Sequence, residues 1–413
     1  MFKFLFRDKI FVNFSVIALV FLSTNIGHFG KETSGEENSI AKQIIGISFA
    51  LYCFILMVKD VDLIVFFRKN LLFFILHFFM LLSIIWSEDQ LRTIKGLVLS
   101  FSLTTFLIVI KSKANWSEIF DKIFGRYLII CLIFSLFFIA FLNQGWMIYE
   151  DQGRVPQGVF FHKNYFGRFL CLSIPFYLYK ILSTPKSILN LYHISIIIIS
   201  VLLLLMTKST TSLFILLISI TIIAVTFNKY IKTFLIYSIP ILIILTGLYQ
   251  STTNRLNFNG AIDTILHSAG KDRTLNGRSR LHELLIADGL KRHPIIGAGY
   301  CAYFKGYTTR WLELMDEFAP GHAHNSYIQV FLDLGLVGLF LMLITILYSI
   351  NKNMRSLLFS IKIDTNYYLA VCFFNVLFFG FIEPGLLGNN HLMSIIFLMG
   401  LINHKKEKCY NEL

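Results

Sequence analysis

The sequence predicts an all-α membrane protein, a polytopic bundle of about 12 transmembrane helices with one large outer, periplasmic loop. Three observations carry that prediction. Of 413 residues, 56% are hydrophobic and 15% charged, too few charges for an ordinary soluble surface. Long apolar runs at 97–110, 127–142, 194–206 and 332–350 suit a hydrocarbon slab about 30 Å thick, which roughly 20 helical residues cross. The runs lack the period-two alternation of a membrane barrel, and helices are the other structure that satisfies every backbone polar group in lipid.

Taken in order, the spans fall near 11–27, 43–58, 71–87, 95–110, 127–143, 164–182, 191–206, 212–228, 233–249, 328–350, 367–382 and 390–403. The basic start followed by an apolar run resembles a signal peptide, but without a small-residue cleavage site it reads as an uncleaved first span. Between the fourth and fifth spans, Trp116, Ile119, Phe120, Ile123 and Phe124 recur at helical spacing, with Lys113, Asp121 and Lys122 off that stripe. Such a helix either lies in the inner interface or packs on the bundle.

The net charge of +13 invites a nucleic-acid partner, but its distribution argues for none. With the N-terminus inside, the inner short segments and span ends hold 20 Lys and Arg, among them Lys3, Arg7, Lys9, Lys111, Lys180 and Lys405. The outer short segments hold 8: Lys31, Lys42, Arg92, Lys95, Arg154, Lys163, Arg168 and Lys208. This is the positive-inside asymmetry, and it turns residues 250–325 outward. The chain then divides into a membrane bundle at 1–249, a large outer loop at 250–325 where the function is to be sought, and spans with a short cytoplasmic tail at 326–413. Of the six cysteines, Cys301 alone lies in the outer loop, so no disulfide framework follows.

Within the loop, 278–292 reads as a helix with Leu281, Leu284, Leu285 and Leu290 available to pack and Pro294 beyond its end. Arg278 and His282, four apart, share a face. Gly297-Ala298-Gly299 marks either a tight turn back to the membrane or a weak phosphate loop, the first being favoured because no P-loop lysine follows.

Four clusters land on the outer face under a topology drawn from charge alone. They are Gly153–Gly167 with Arg154, His162, Lys163 and Asn164; the turn Lys208-Ser209-Thr210-Thr211-Ser212; Gly277–His282; and Ala323–Tyr327. His162-Lys163 also reads as a span flank, and Arg280 as a solvated charge. Asp333 and Glu383 sit at or inside outer span ends, where a carboxylate is costly and so functional by default, or, for Asp333, paired with a loop arginine.

These segments resemble a known family. Phe161-His162-Lys163-Asn164 with Gly167, Gly277-Arg278, and His293-Pro294 before Gly297-Ala298-Gly299-Tyr300 fit it, as does His322-Ala323-His324-Asn325-Ser326-Tyr327 before Asp333-Leu334-Gly335-Leu336-Val337-Gly338. Together they look like the O-antigen ligase and polymerase superfamily, and are most similar to its exopolysaccharide polymerase branch, in register over 150–345. The chain departs from the family's pattern at His282, where an aromatic is common, and at Thr210, where a basic residue is.

The resemblance implies a metal-independent, inverting glycosyltransferase without cofactors, multi-pass in a bacterial inner membrane with its site facing the periplasm. Its donor would be an oligosaccharide repeat on undecaprenyl pyrophosphate and its acceptor a glycan or lipid A-core; membrane lipids and a chain-length regulator protein complete the implied partners. Arg278 and Arg154 would hold the pyrophosphate and His324 would act at the acceptor hydroxyl. His162, Lys163, Asn164, Lys208, Arg280, Asn325 and Asp333 would contact substrate. Arginine's planar fork suits phosphate oxygens, and a histidine can take a hydroxyl proton near neutral pH. The ligase, transferring finished polymer to lipid A-core, is the alternative within the family. A polysaccharide-related transporter is the alternative outside it, disfavoured because no Gly/Pro-broken segments stand at matching positions in two halves.

Overall fold

The computed structural model describes residues 2–24, 40–149, 153–184, 188–227, 278–304, 321–359, 363–387 and 391–403. Helices dominate: α1 (Phe2–Ser23), α2 (Ile40–Asp60), α3 (Leu63–Lys69), α4 (Leu71–Leu82), α5 (Gln90–Ser112), α6 (Trp116–Phe141), α7 (Lys163–Ser183), α8 (Leu189–Met206), α9 (Thr210–Phe227), α10 (Arg278–Arg292), α11 (Ser326–Phe359), α12 (Thr365–Gly380) and α13 (His391–Leu401). Eleven of the twelve expected spans overlap these helices, and the one at 233–249 lies outside the described residues, as does 250–277. Among the described residues α5, α6, α8 and α11 are long and apolar enough to cross a membrane, and the pair α2–α3 makes a fifth if its 100° bend counts as one span. α4, α9, α12 and α13 are apolar but shorter.

Apolar side chains are both buried and exposed, in stripes. On α2, Ile44, Ile47, Leu51, Ile55 and Val58 stay exposed at intervals of three and four. In water such a stripe would be a large unpartnered patch, whereas against lipid it is the expected outer face. The inner faces interlock through aromatic rings, with Phe124, Phe176 and Tyr368 packed at centroid distances of 5.3–6.0 Å.

Two expectations change, one alternative is decided and one element is new. The 71–87 span is helical only to Leu82, about 18 Å at 1.5 Å per residue, because the segment that follows receives another part of the chain there. The 328–350 span is broken, since Gly335 inside α11 has φ 67° and ψ −168°. The amphipathic stripe from Trp116 to Phe124 is buried and forms the first turns of α6, so it packs on the bundle rather than lying in the interface. The fold also contains a hairpin of β1 (Trp146–Tyr149) and β2 (Gly153–Pro156), antiparallel with Ile148 opposite Arg154. Aromatic and β-branched residues suit these strands, and Gly153 at φ 67° suits the turn.

Helix starts alternate with helix ends, so α4, α6, α8 and α12 finish at the same end of the bundle where α5, α7, α9 and α11 begin. Asp89 caps α5 through the Arg92 N–H at 3.0 Å and His162 caps α7 through the Asn164 N–H at 3.1 Å. The loops at this end are the ones that carry the candidate residues.

Candidate functional site

The return segment 293–300 is built into the bundle. The N–H groups of Ala298 and Gly299 donate to Leu332 O at 3.0 Å and Asp333 O at 2.9 Å, and those of Leu336 and Val337 donate to Pro294 O at 2.8 Å and Ile295 O at 3.0 Å. These four bonds take up the backbone groups that the break at Gly335 removes from the helix ladder, as broken helices at membrane depth require. The two backbones approach so closely that a Cβ on Gly297 would stand 2.3 Å from the Asp333 carbonyl carbon, and one on Gly335 2.3 Å from that of Ile295. Gly297-Ala298-Gly299 is therefore a docking turn, and the N–H groups a phosphate loop would need are already used, that of Gly297 on His293 O and those of Ala298 and Gly299 on α11.

The other side of this segment meets the α4–α5 connection. The Trp86 indole donates to Ile296 O at 3.1 Å, the Glu88 N–H to Ala298 O at 2.9 Å, and His293 Nε2 lies 2.7 Å from Glu88 Oε1. The Tyr300 phenol donates to Leu387 O, and burial holds that phenol well above its usual range, so it acts as a neutral donor.

α10 has the bounds its sequence suggests. Leu281 and Leu285 are buried against Phe331, Leu332 and Tyr303, whereas Leu290 is 52% exposed and does not pack there. From the same helix His282 Nε2 donates to Ala323 O at 3.0 Å, fixing α10 to the carbonyl between the two histidines of the next motif. Arg278 and Arg280 stand in the first turn of α10; their side chains lie outside the described residues.

The 322–326 turn is tight. His324 adopts φ +50°, uncommon for a residue with a Cβ, and its N–H donates to His322 Nδ1 at 3.3 Å. The two rings sit 4.1 Å apart, edge to face. Asn325 caps α11, its Oδ1 accepting from the N–H groups of Tyr327 at 2.8 Å and Ile328 at 3.1 Å, while its amide donates to Phe381 O at 3.1 Å. The Ser326 hydroxyl donates to Glu383 O at 2.8 Å. Both residues thus clamp the turn after α12.

That turn presents Glu383. Its carboxylate reaches two expected clusters at once, with Oε1 3.5 Å from Asn164 Nδ2 and Oε2 4.0 Å from His324 Nδ1. Beside Asn164, Lys163 and Arg168 are buried, the Arg168 guanidinium lying 4.2 Å over the Tyr165 ring and donating to Asn164 O at 3.2 Å. A cavity of about 180 Å³ adjoins the pair, lined by Arg92, Tyr165, Tyr300, His322, Gln329 and Asp333 among others. Asp333 there accepts from Gln329 Nε2 at 3.0 Å and from the Tyr303 N–H at 3.3 Å.

The turn holding Lys208 adjoins the same region, because a Cβ on Gly167 would meet Ser212 Oγ at 2.7 Å. Lys208 itself has φ +51°. Arg154 stands apart: it is exposed on β2, donates to Asn143 Oδ1 at 3.0 Å, and lies 5.5 Å over the Trp146 ring. Among the described residues no three His, Cys, Asp or Glu side chains gather to hold a metal ion. Sequence reasoning singled out Glu383 as a costly carboxylate without assigning it to the site, and it missed Arg92 and Gln329. Gln329, one helical turn before Asp333, is the spacing signal that could have found one of them.

Residues 195–343 match the family described as O-Antigen ligase, a range that holds the Lys208 turn, α10, the return segment and the histidine turn. A 106-residue stretch is 33% identical to the exopolysaccharide production protein ExoQ of Rhizobium meliloti (strain 1021), covering 24% of this chain and 24% of that protein. The matched stretch therefore spans about a quarter of that relative's length. With its apolar helices and these two matches, the chain is similar to the O-antigen ligase and polymerase superfamily of membrane proteins.

Proposed function

We propose that this chain is a glycosyltransferase at the outer face of a bacterial inner membrane, joining undecaprenyl-pyrophosphate-linked repeat units into exopolysaccharide, capsule or O-antigen. The observation that supports it best is the meeting of two motif segments at one carboxylate, Asn164 at 3.5 Å and His324 at 4.0 Å from Glu383, with α10 tied to the carbonyl beside His324. In the proposed step the acceptor hydroxyl oxygen attacks the anomeric carbon from the face opposite the pyrophosphate. The bond from that carbon to the phosphate oxygen breaks, its electron pair leaves with the pyrophosphate, and configuration inverts. The hydroxyl proton passes to His324, and Arg278 with the nearby cations stabilises the departing charge. Lys163 begins α7, Arg168 lies in its second turn and Lys208 precedes α9, so their charges add to the positive ends of these two helices.

The family's description favours a second reading, a ligase that moves finished polymer to lipid A-core. The surface glycans of a deletion strain separate the two. Single unpolymerised repeats on lipid A-core support the polymerase, and loss of all capping with polymer still made supports the ligase. Orientation has its own test: alkaline phosphatase fused after Asn276 should be active and after Asn403 silent, and the reverse pattern would overturn the outward site.

A further inference from the structure

We infer that Glu383 is the positioning residue for His324, holding the imidazole through Nδ1 so that Nε2 faces the acceptor hydroxyl; this rests on the proposed glycosyl transfer. The carboxylate is placed by the same motif it would serve. Ser326, two residues after His324, donates to the Glu383 carbonyl at 2.8 Å and accepts from the Leu386 N–H at 3.3 Å, and Asn325 bonds Phe381 O at 3.1 Å. The Ser394 hydroxyl holds Gly385 O at 2.8 Å and Tyr300 holds Leu387 O, so the 381–387 turn is fixed on both sides.

The direction of action follows from burial. The Glu383 side chain is 11% exposed and that of His324 22%, so the carboxylate is the more enclosed of the two and the ring the one nearer solvent. A carboxylate facing Nδ1 selects the tautomer with the proton on Nδ1, which makes Nε2 the ring atom that takes a proton. It also stabilises the imidazolium that forms when the acceptor hydroxyl gives up its proton, while itself remaining ionised. The 4.0 Å separation exceeds a hydrogen bond, and such contacts commonly shorten when substrate fills the site. The other oxygen, 3.5 Å from Asn164 Nδ2, ties the orientation of the base to the segment that carries Lys163. One carboxylate thereby registers the acceptor side of the site against the donor side.

The test is a double-mutant cycle on full-length protein in nanodiscs, using lipid-linked repeat units extracted from a strain lacking this chain. Glu383→Gln, which keeps size and can still meet Asn164, should lower kcat by roughly 10²-fold with donor KM changed by less than about twofold. In a His324→Ala background the same substitution should cost less than about twofold, because a positioning residue has nothing left to position. Glu383→Asp should recover part of the rate. Equal losses in the two backgrounds, or a Glu383→Gln enzyme of full activity, would overturn the inference and leave the function standing. Wild-type protein that transfers no sugar would overturn the function itself, and a fully active His324→Ala enzyme would remove the base and its positioning together. A Glu383→Gln protein that melts well below wild type, with a loss unchanged by His324→Ala, would assign the carboxylate a structural role instead.

Discussion

The two ends of the helix bundle treat their polar groups differently. At the end where α7 finishes, Asp121 takes the Lys180 ammonium at 2.5 Å, the Tyr179 hydroxyl at 2.6 Å and the Thr365 hydroxyl at 3.1 Å. Nearby Lys113 pairs with Asp8, the Lys111 ammonium sits 3.5 Å over the Trp116 ring, and Asn70 accepts from the Asn403 N–H at 2.7 Å. Each group is held by close partners from other helices. At the opposite end Glu383 meets Asn164 and His324 at 3.5 and 4.0 Å, beside a cavity. The end whose polar contacts are closed reads as a set of structural ties, although a cavity of about 160 Å³ borders Asn70 and Asn403 there, and the looser end has unfilled contacts for a substrate to complete.

Substitutions separate these roles. The largest effect on turnover should come from the looser end. His324→Ala should slow glycosyl transfer by about 10²–10⁴-fold at normal protein abundance, measured on purified protein with EDTA present. A variant that keeps a tenth of its turnover would remove the histidine from the mechanism. Arg278→Lys should rescue Arg278→Ala poorly, because an ammonium cannot reproduce the guanidinium's paired contacts with phosphate oxygens.

Next in size are losses of fold rather than chemistry. Gly335→Ala places a methyl group 2.3 Å from the Ile295 carbonyl carbon at φ +67°, so the return segment must leave its seat. Membrane-inserted protein should fall severely, seen as lost abundance and a broad peak in size exclusion. Normal abundance with lost activity would mean that the break shapes the site without holding the fold. Asp121→Ala should cost less, about 1.5–3 kcal/mol for each hydrogen bond to the charged group, and lower the melting temperature while turnover per folded molecule stays near wild type. A large drop in turnover without a stability change would blur the contrast between the two ends.

The contrast was half legible in the sequence. Apolar runs predicted helices, and α10 emerged with the bounds that its leucines and Pro294 suggested, because these signals are local. The break at Gly335 was hidden inside a run that hydropathy reads as continuous, since its cause is a backbone from residues 294–299 lying alongside it. Glu383 was visible as a carboxylate at the end of an apolar run, but its partners lie 219 residues away at Asn164 and 59 away at His324, and no periodicity encodes such pairs. The resemblance carried the histidine turn and the His162–Asn164 segment, and not the turn after α12 that joins them.

The smallest expected effect is the one that sharpens the comparison most. Arg154 entered beside Arg278 as a second ligand for pyrophosphate, yet it is exposed on the hairpin, donating to Asn143 at 3.0 Å and lying 5.5 Å over Trp146. A guanidinium held this way belongs in kind with the ties of the closed end, although it stands near the site. Arg154→Ala should therefore raise donor KM only a few-fold and leave kcat close to wild type, because an exposed charge in water acts mainly by attraction at a distance. That modest effect should shrink further in high salt, which screens exposed charges. If Arg154→Ala instead loses as much kcat as Arg278→Ala, independently of salt, the hairpin must close over the donor during turnover. The guanidinium would then leave Asn143 for phosphate, and the looser end would extend to the hairpin.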